Sequence, residues 1–286
     1  MIKKLFIFIL LAQALMLQAT SASAAPQKNT STPQLRSNIA LIYDEKTQHP
    51  LYQKNADTVA PIASISKLMT AMVVLDANLP MNESIRITHE DIDTLKGTHS
   101  RIKPGMELTR GELLKLALMA SENRAAAALA RTYPGGTQAA VAQMNAKARE
   151  LGMDDTQFFD PTGLNSNNVS TAADLVKMVQ AAHTYSRIRK ATTTTSDQIA
   201  PAGFGAIKFN NTNPLVKNAS WNIELSKTGY INEAGRCLVM KATINRRPVV
   251  IVLLDSWGKN TRVGDANRVR KWMESAFPAR PVVQRG

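Results

Sequence analysis

Ser64-Ile65-Ser66-Lys67 stands where an extended segment containing Pro61 meets the apolar positions Leu68, Met69, Met72, Val73 and Leu75. Those positions cover most of a helix surface and predict a helix buried on nearly all sides. The tetrapeptide then opens that helix. Residues i and i+3 share a face, so the Lys67 amine would lie beside the Ser64 hydroxyl, while unpaired N–H groups at the helix start favour developing negative charge. A serine hydroxyl is a poor nucleophile until a base takes its proton, and a desolvated lysine can be that base. Spacing alone selects nothing, because Ser100-Arg101-Ile102-Lys103 and Ser256-Trp257-Gly258-Lys259 share it. Pro104-Gly105 ends any helix at the first, and Ser256 follows the apolar run 249–254 and precedes Gly258, so neither begins a helix.

On the N-terminal side, residues 39–43 and a segment around Leu51-Tyr52 flank Asp44-Glu45-Lys46-Thr47 and predict a β-hairpin. Residues 25–37, with Pro, Ser and Thr, read as a flexible tether. Residues 1–24 read as a signal peptide: Lys3 and Lys4, an apolar run over 5–17, then Ala22-Ser23-Ala24. That run is shorter than the ~20 residues of a spanning helix, so an exported, periplasmic protein is expected. The formal charge is +13, or +11 without Lys3 and Lys4. Such a balance favours cell-wall polymers, or at most peripheral membrane contact, over nucleic acid. The single cysteine, Cys237, lies in an apolar strand-like run and is expected to be buried and inert.

On the C-terminal side, Thr109 with Glu112 three residues later forms a capping-box pattern for a helix over 109–120. Ser121-Glu122-Asn123 separates it from an alanine-rich stretch, 125–130. Helices are expected over 139–151 and over 172–182, the latter capped by Ser170-Thr171, with a loop over 158–168 between them. Residues 192–218 are polar and predict irregular structure with a short hairpin. Three strand-like runs follow, 223–231, 237–244 and 249–254, whose short connections imply an antiparallel meander. A last helix over 265–277 places Val269, Trp272, Met273 and Ala276 on one face, for packing against the sheet. The arginines near the C-terminus read as a solvated basic face. The fold class is α+β: an antiparallel sheet built from both chain ends with a helical subdomain inserted, one catalytic unit over 38–277 and a tail over 278–286.

Three elements therefore stand in order: Ser64-x-x-Lys67 at a helix start, Ser121-x-Asn123 between helices, and Lys227-Thr228-Gly229 on the first strand of the meander. Ser166-Asn167-Asn168 and Ser220-Trp221-Asn222 also fit Ser-x-Asn, but neither sits between helices. Ser121 can relay a proton to a leaving amine, and Asn123 can bind a substrate amide. Lys227 supplies charge near Ser121 and a substrate carboxylate, to which Thr228 offers a hydroxyl. Gly229 lets a substrate backbone lie close to the strand. The four histidines, His49, His89, His99 and His183, are scattered and show no metal-ligand spacing.

This set resembles the active site of the penicillin-recognising serine peptidases. With the stretches 61–72, 111–130, 160–164, 170–171 and 226–235, the chain is similar to the low-molecular-mass penicillin-binding proteins, the D-alanyl-D-alanine carboxypeptidase and endopeptidase family, over most of 35–277. Lys227-Thr228-Gly229-Tyr230-Ile231, and an end soon after one catalytic region, look most like its D-Ala-D-Ala endopeptidases, penicillin-binding proteins seven and eight. The resemblance implies the penicillin-recognising fold, no cofactor, and an acyl-enzyme on Ser64 with Lys67 as base. It also implies an oxyanion hole from the backbone N–H groups of Ser64 and Tyr230, peptidoglycan cross-links as substrate and β-lactams as covalent inhibitors. Three alternatives stay open. A D-Ala-D-Ala carboxypeptidase cuts the same type of bond, and a non-catalytic murein- or penicillin-sensing protein would keep the pocket for binding alone. A β-lactamase would carry a Glu-x-x-Leu-Asn segment between the second and third motifs, and none occurs here.

Overall fold

The computed structural model describes residues 32–278; the expected signal peptide, the start of the tether and the tail beyond 278 lie outside them. β1 (Ile39–Asp44) and β2 (His49–Lys54) form the expected hairpin. A two-residue strand, β3 (Ala60–Pro61), leads into a tight 3-10 turn over Ala63–Ser66 and then α1 (Lys67–Asp76). The inserted part continues with a short pair, β4 (Ser84–Arg86) and β5 (Glu107–Thr109), then α2 (Arg110–Met119), α3 (Asn123–Arg131) and α4 (Gly136–Glu150). β6 (Val169–Ser170) pairs with β3 and precedes α5 (Ala172–Thr184) and α6 (Ser186–Thr193). β7 (Ser196–Ile199) and β8 (Ile207–Asn210) are the short hairpin of the polar stretch. The chain closes with β9 (Asn222–Ile231), β10 (Gly235–Ile244), β11 (Arg247–Ser256) and α7 (Thr261–Ala276).

The main sheet has the order β2-β1-β11-β10-β9, with every neighbouring pair antiparallel. Both chain ends thus build one sheet, and β11 sits at its centre. The unbroken apolar run Val249 to Leu254 follows from that place, since a strand covered on both faces has no solvent side. Val250, Val252 and Leu254 pack in the core with α5 residues such as Leu175 and Val179, whereas Val249, Ile251 and Leu253 pack with Ala266, Val269 and Met273 of α7. β9 is left as an edge strand, and the turn carrying Ser64 packs against it.

Local signals hold where the sequence carried them. Thr109 accepts from the Glu112 amide while the Glu112 carboxylate accepts from the Thr109 amide, completing the capping box of α2. Thr171 caps α5 by accepting from Asp174 N–H. Several expectations shift. α1 begins at Lys67, after a 3-10 turn, and not at Ser64; α4 begins at Gly136 and α7 at Thr261, three and four residues before their predicted starts; and α6 was not predicted because Ile188 and Ala191 alone are the apolar residues of its inner face. The end of the expected tether is packed and not free. Arg36 and Ser37 donate backbone N–H bonds to the Asp265 carboxylate at 3.0 and 2.7 Å, and Leu35 is buried against the α7 side of the sheet.

Candidate active site

Ser64 lies in the 3-10 turn that precedes α1, and three features hold that turn. Ala63 adopts a left-handed backbone (φ 49°), a conformation costing a non-glycine residue on the order of 1–3 kcal/mol unless its surroundings enforce it. Asn168 Nδ2 donates to Ser66 Oγ at 3.0 Å, and Ser66 Oγ donates to the Ala63 carbonyl at 2.9 Å. The loop of Asp160 to Asn165 presses against the same turn. Gly163 (φ 80°) is required there, because a Cβ would come within 2.0 Å of the Ala63 carbonyl oxygen.

Lys67 Nζ makes three contacts: Ser64 Oγ at 2.9 Å, Asn123 Oδ1 at 2.7 Å and the Thr162 carbonyl oxygen at 2.5 Å. The last two groups can only accept. A neutral amine therefore spends its two N–H bonds on Asn123 and Thr162 and directs its lone pair at Ser64, whose hydroxyl becomes the donor. Lys67 is 1% exposed. Burial pulls its pKa down from 10.5 to about 7, against the partial compensation of the more distant Asp160, Glu122 and Asp93 carboxylates. An amine tuned near neutrality suits proton transfer in both directions.

The second motif faces the third across a cleft. Ser121, in the connection between α2 and α3, is itself left-handed (φ 58°), and its Oγ accepts from Lys227 Nζ at 2.8 Å. Asn123 begins α3 and donates through Nδ2 to Thr98 Oγ1 at 2.9 Å, fixing the orientation in which its Oδ1 faces Lys67. Lys227 also donates to the Thr228 carbonyl, and Thr228 Oγ1 donates to Thr212 Oγ1 at 2.6 Å. Burial, with Lys67 and Arg262 nearby, holds the Lys227 ammonium well below the usual lysine range. Gly229 has a structural requirement besides its expected role. Its missing side chain makes room for the nucleophile turn, since a Cβ there would lie 2.9 Å from the Ile62 carbonyl and 3.1 Å from Ser64 N. Tyr230, half exposed, follows on the cleft rim. Ser64, Ser121, Asn123, Thr228, Gly229 and Tyr230 all line one cleft of about 430 Å³.

With this geometry in hand, the likeness to known proteins becomes specific. A family model described as D-alanyl-D-alanine carboxypeptidase matches residues 26–258. The chain belongs to that family. It is similar to a D-alanyl-D-alanine endopeptidase of Pseudomonas aeruginosa, 48% identical over 91% of this chain and 87% of the relative. A D-alanyl-D-alanine endopeptidase of Escherichia coli is 47% identical over 89% of this chain and 82% of its own length. Among solved structures, the Streptomyces K15 DD-transpeptidase superposes with a TM-score of 0.80 at 28% identity, covering 86% of this chain and 99% of that one. The D-alanyl-D-alanine carboxypeptidase family, with the penicillin-recognising fold, accounts for a sheet built from both chain ends with helices between, and it makes this chain a serine peptidase.

Membership also clarifies residues that the sequence analysis passed over. The Thr162 carbonyl was given no role, because any residue type supplies a backbone acceptor. The signal for it lies in Asp160-Pro161-Thr162-Gly163-Leu164: Asp160 Oδ1 accepts from the Thr162 and Gly163 amides at 2.5 and 2.6 Å and from Thr162 Oγ1 at 2.8 Å, locking the turn that presents the carbonyl. Arg262 was counted in a solvated basic face, yet it lines the cleft and donates to the Gly229 carbonyl at 3.0 Å. Glu122, inside the Ser121-x-Asn123 motif, points elsewhere and accepts from Ser100 Oγ at 2.8 Å. Burial raises its pKa. Cys237 is fully buried, which pushes its thiol up to about 11 and keeps it inert.

Proposed function

We propose that this chain is a periplasmic serine DD-peptidase of peptidoglycan, an endopeptidase that opens D-Ala–diaminopimelate cross-links through an acyl-enzyme on Ser64. The observation that carries the reading is the Lys67 amine, buried and shifted to about 7, with two fixed acceptors that leave its lone pair for the Ser64 hydroxyl. Lys67 takes the proton as Ser64 Oγ attacks the D-Ala carbonyl. The N–H groups of Ser64 and Tyr230 receive the oxyanion. Ser121, bonded to Lys227, passes a proton to the leaving amine and recovers one from the Lys67 ammonium, the C–N bond breaks, and water then releases the acyl group with the regenerated neutral Lys67 again as base. Asn123 holds the substrate amide, and Lys227, Thr228 and Arg262 face the leaving-group carboxylate. Names of relatives at 47–48% identity support the endopeptidase preference, and the leader expected over 1–24 supports the periplasm.

The test is digestion of cross-linked and monomeric muropeptides, read by chromatography, beside covalent labelling by penicillin. Loss of cross-linked dimers, with labelling lost in Ser64→Ala, is expected. A protein that neither labels nor changes the muropeptide profile overturns the reading; release of terminal D-Ala from monomers alone makes it a carboxypeptidase. Slow turnover of nitrocefin is expected, because the Glu-x-x-Leu-Asn segment that supplies the deacylating carboxylate of a β-lactamase does not occur between the second and third motifs.

A further inference from the structure

The cleft has a charged pair at one end that the reaction scheme leaves unused. Lys96 lines the cleft from the helical side and forms an ion pair with Glu233 in the turn after β9, 137 residues away. The pair joins the two walls. Its position along β9 says which part of a substrate it meets. An extended peptide adds to an edge strand such as β9. Lys227 and Thr228, which face the leaving-group carboxylate, come first on that strand, the Tyr230 N–H next, and Ile231, Asn232 and Glu233 follow. With the scissile carbonyl at Tyr230, the acyl side of the substrate runs toward Glu233 and Lys96.

The loop that carries Lys96 is firmly built. The Asp93 carboxylate accepts from the N–H groups of Leu95, Lys96 and Thr98, at 2.8, 3.0 and 2.8 Å, and Thr98 in turn supports Asn123. The two charged ends are wetter: the side chains are 33% and 42% exposed. An ion pair so exposed is weakly held, so a ligand can replace each partner. Resting on the DD-peptidase reading above, we propose that Lys96 and Glu233 form a receptor for a zwitterion, the ammonium and carboxylate on one carbon at the end of the side chain that precedes D-Ala. The distal end of diaminopimelate has that chemistry: its carboxylate would face Lys96 and its ammonium Glu233. A lysine side chain satisfies Glu233 alone, and an uncharged side chain leaves the protein pair closed.

The test uses the purified protein and soluble peptides in which acyl-X-D-Ala is joined through its D-Ala carbonyl to the distal amine of an acceptor diaminopimelate, X being meso-diaminopimelate, diaminopimelate with its distal carboxyl amidated, diaminopimelate with its distal amine acetylated, or lysine. Each lost contact is expected to lower kcat/KM by up to about fivefold, the range of a partly exposed ion pair, and the preference should shrink at high salt. Lys96→Met is expected to erase the discrimination against the amidated peptide, and Glu233→Gln that against the acetylated one. Equal kcat/KM for all four peptides in the unmodified protein overturns the receptor. So does a uniform loss across all four in the variants, which would mean the pair only supports the cleft. If penicillin fails to acylate Ser64 and no peptide is cut, the DD-peptidase reading falls and takes the receptor with it; penicillin acylation with cleavage but no preference sinks the receptor alone.

Discussion

The helical wall and the sheet wall of the cleft each carry a lysine only 1% exposed, and among the described residues neither lysine forms an ion pair. Their surroundings differ. Around Lys67, the carboxylates of Asp160, Glu122 and Asp93 stand beyond contact and offset part of the burial, leaving the amine near neutrality. Around Lys227 the neighbouring titratable groups are basic, Lys67 and Arg262, and they add to the effect of burial. The first environment suits a base that must gain and lose a proton in every cycle. In the proposed scheme the second favours an arriving carboxylate, whose negative charge stabilises the Lys227 ammonium that burial disfavours. One type of residue, buried to the same degree, acquires two chemistries from its neighbours.

Replacing each lysine should separate the two roles. Lys67→Met removes the proposed base and is expected to lower the acylation rate by roughly 10²–10⁴-fold, measured with labelled penicillin. In the unmodified protein that rate should rise with pH and level off above about 7, because the protonated amine below that value cannot accept the Ser64 proton. Lys227→Met removes the charged hydrogen bond to the substrate carboxylate that the proposed scheme assigns to it. It is expected to cost ~10–100-fold in kcat/KM for peptides ending in a free carboxylate and far less for amidated ones; equal losses for both would break the distinction.

Smaller changes test the supports of each wall. Gly163→Ala would force a Cβ into the Ala63 carbonyl at φ 80°. We expect a loss of about 1–3 kcal/mol in stability, read by denaturant unfolding, together with slower acylation as the Ser64 turn shifts. Thr98→Val deletes the hydroxyl that accepts from Asn123, and the expected loss is about 1 kcal/mol in transition-state binding. Stability should also carry the Lys67 shift. Folded Lys67 releases its proton near 7 and unfolded lysine near 10.5, so the unfolded chain binds more protons between those values and stability rises with pH across that window. Lys67→Met should flatten that slope, leaving the part that Lys227 contributes in the same direction, measurable by thermal unfolding at pH 7.5 and 9.5; an unchanged slope would mean that Lys67 keeps its proton in the fold.

Much of this site was readable before any coordinates, and what was readable is local. The Thr109–Glu112 capping box, the Thr171 cap and the apolar strand runs depend on neighbours within a few residues, so spacing alone predicts them. Ser64 and Lys67 are three residues apart, and a helix start brings them to 2.9 Å. The order of the three motifs then pointed to a family. At Gly229 the strand pattern points to close approach by a substrate backbone, and the structure adds a close approach by the Ile62–Ser64 backbone, which no strand pattern reveals.

By itself the sequence determined which side chains could do the chemistry and which elements carry them, because backbone hydrogen bonding and apolar periodicity act over short separations. Tertiary structure decided their protonation and aim. Lys67 meets the Thr162 carbonyl across 95 residues and Lys227 meets Ser121 across 106, contacts made only when loop, helix and edge strand pack together. Removal of water from both amines happens at that same step. Desolvation belongs to an assembled cleft, and no stretch of sequence contains it.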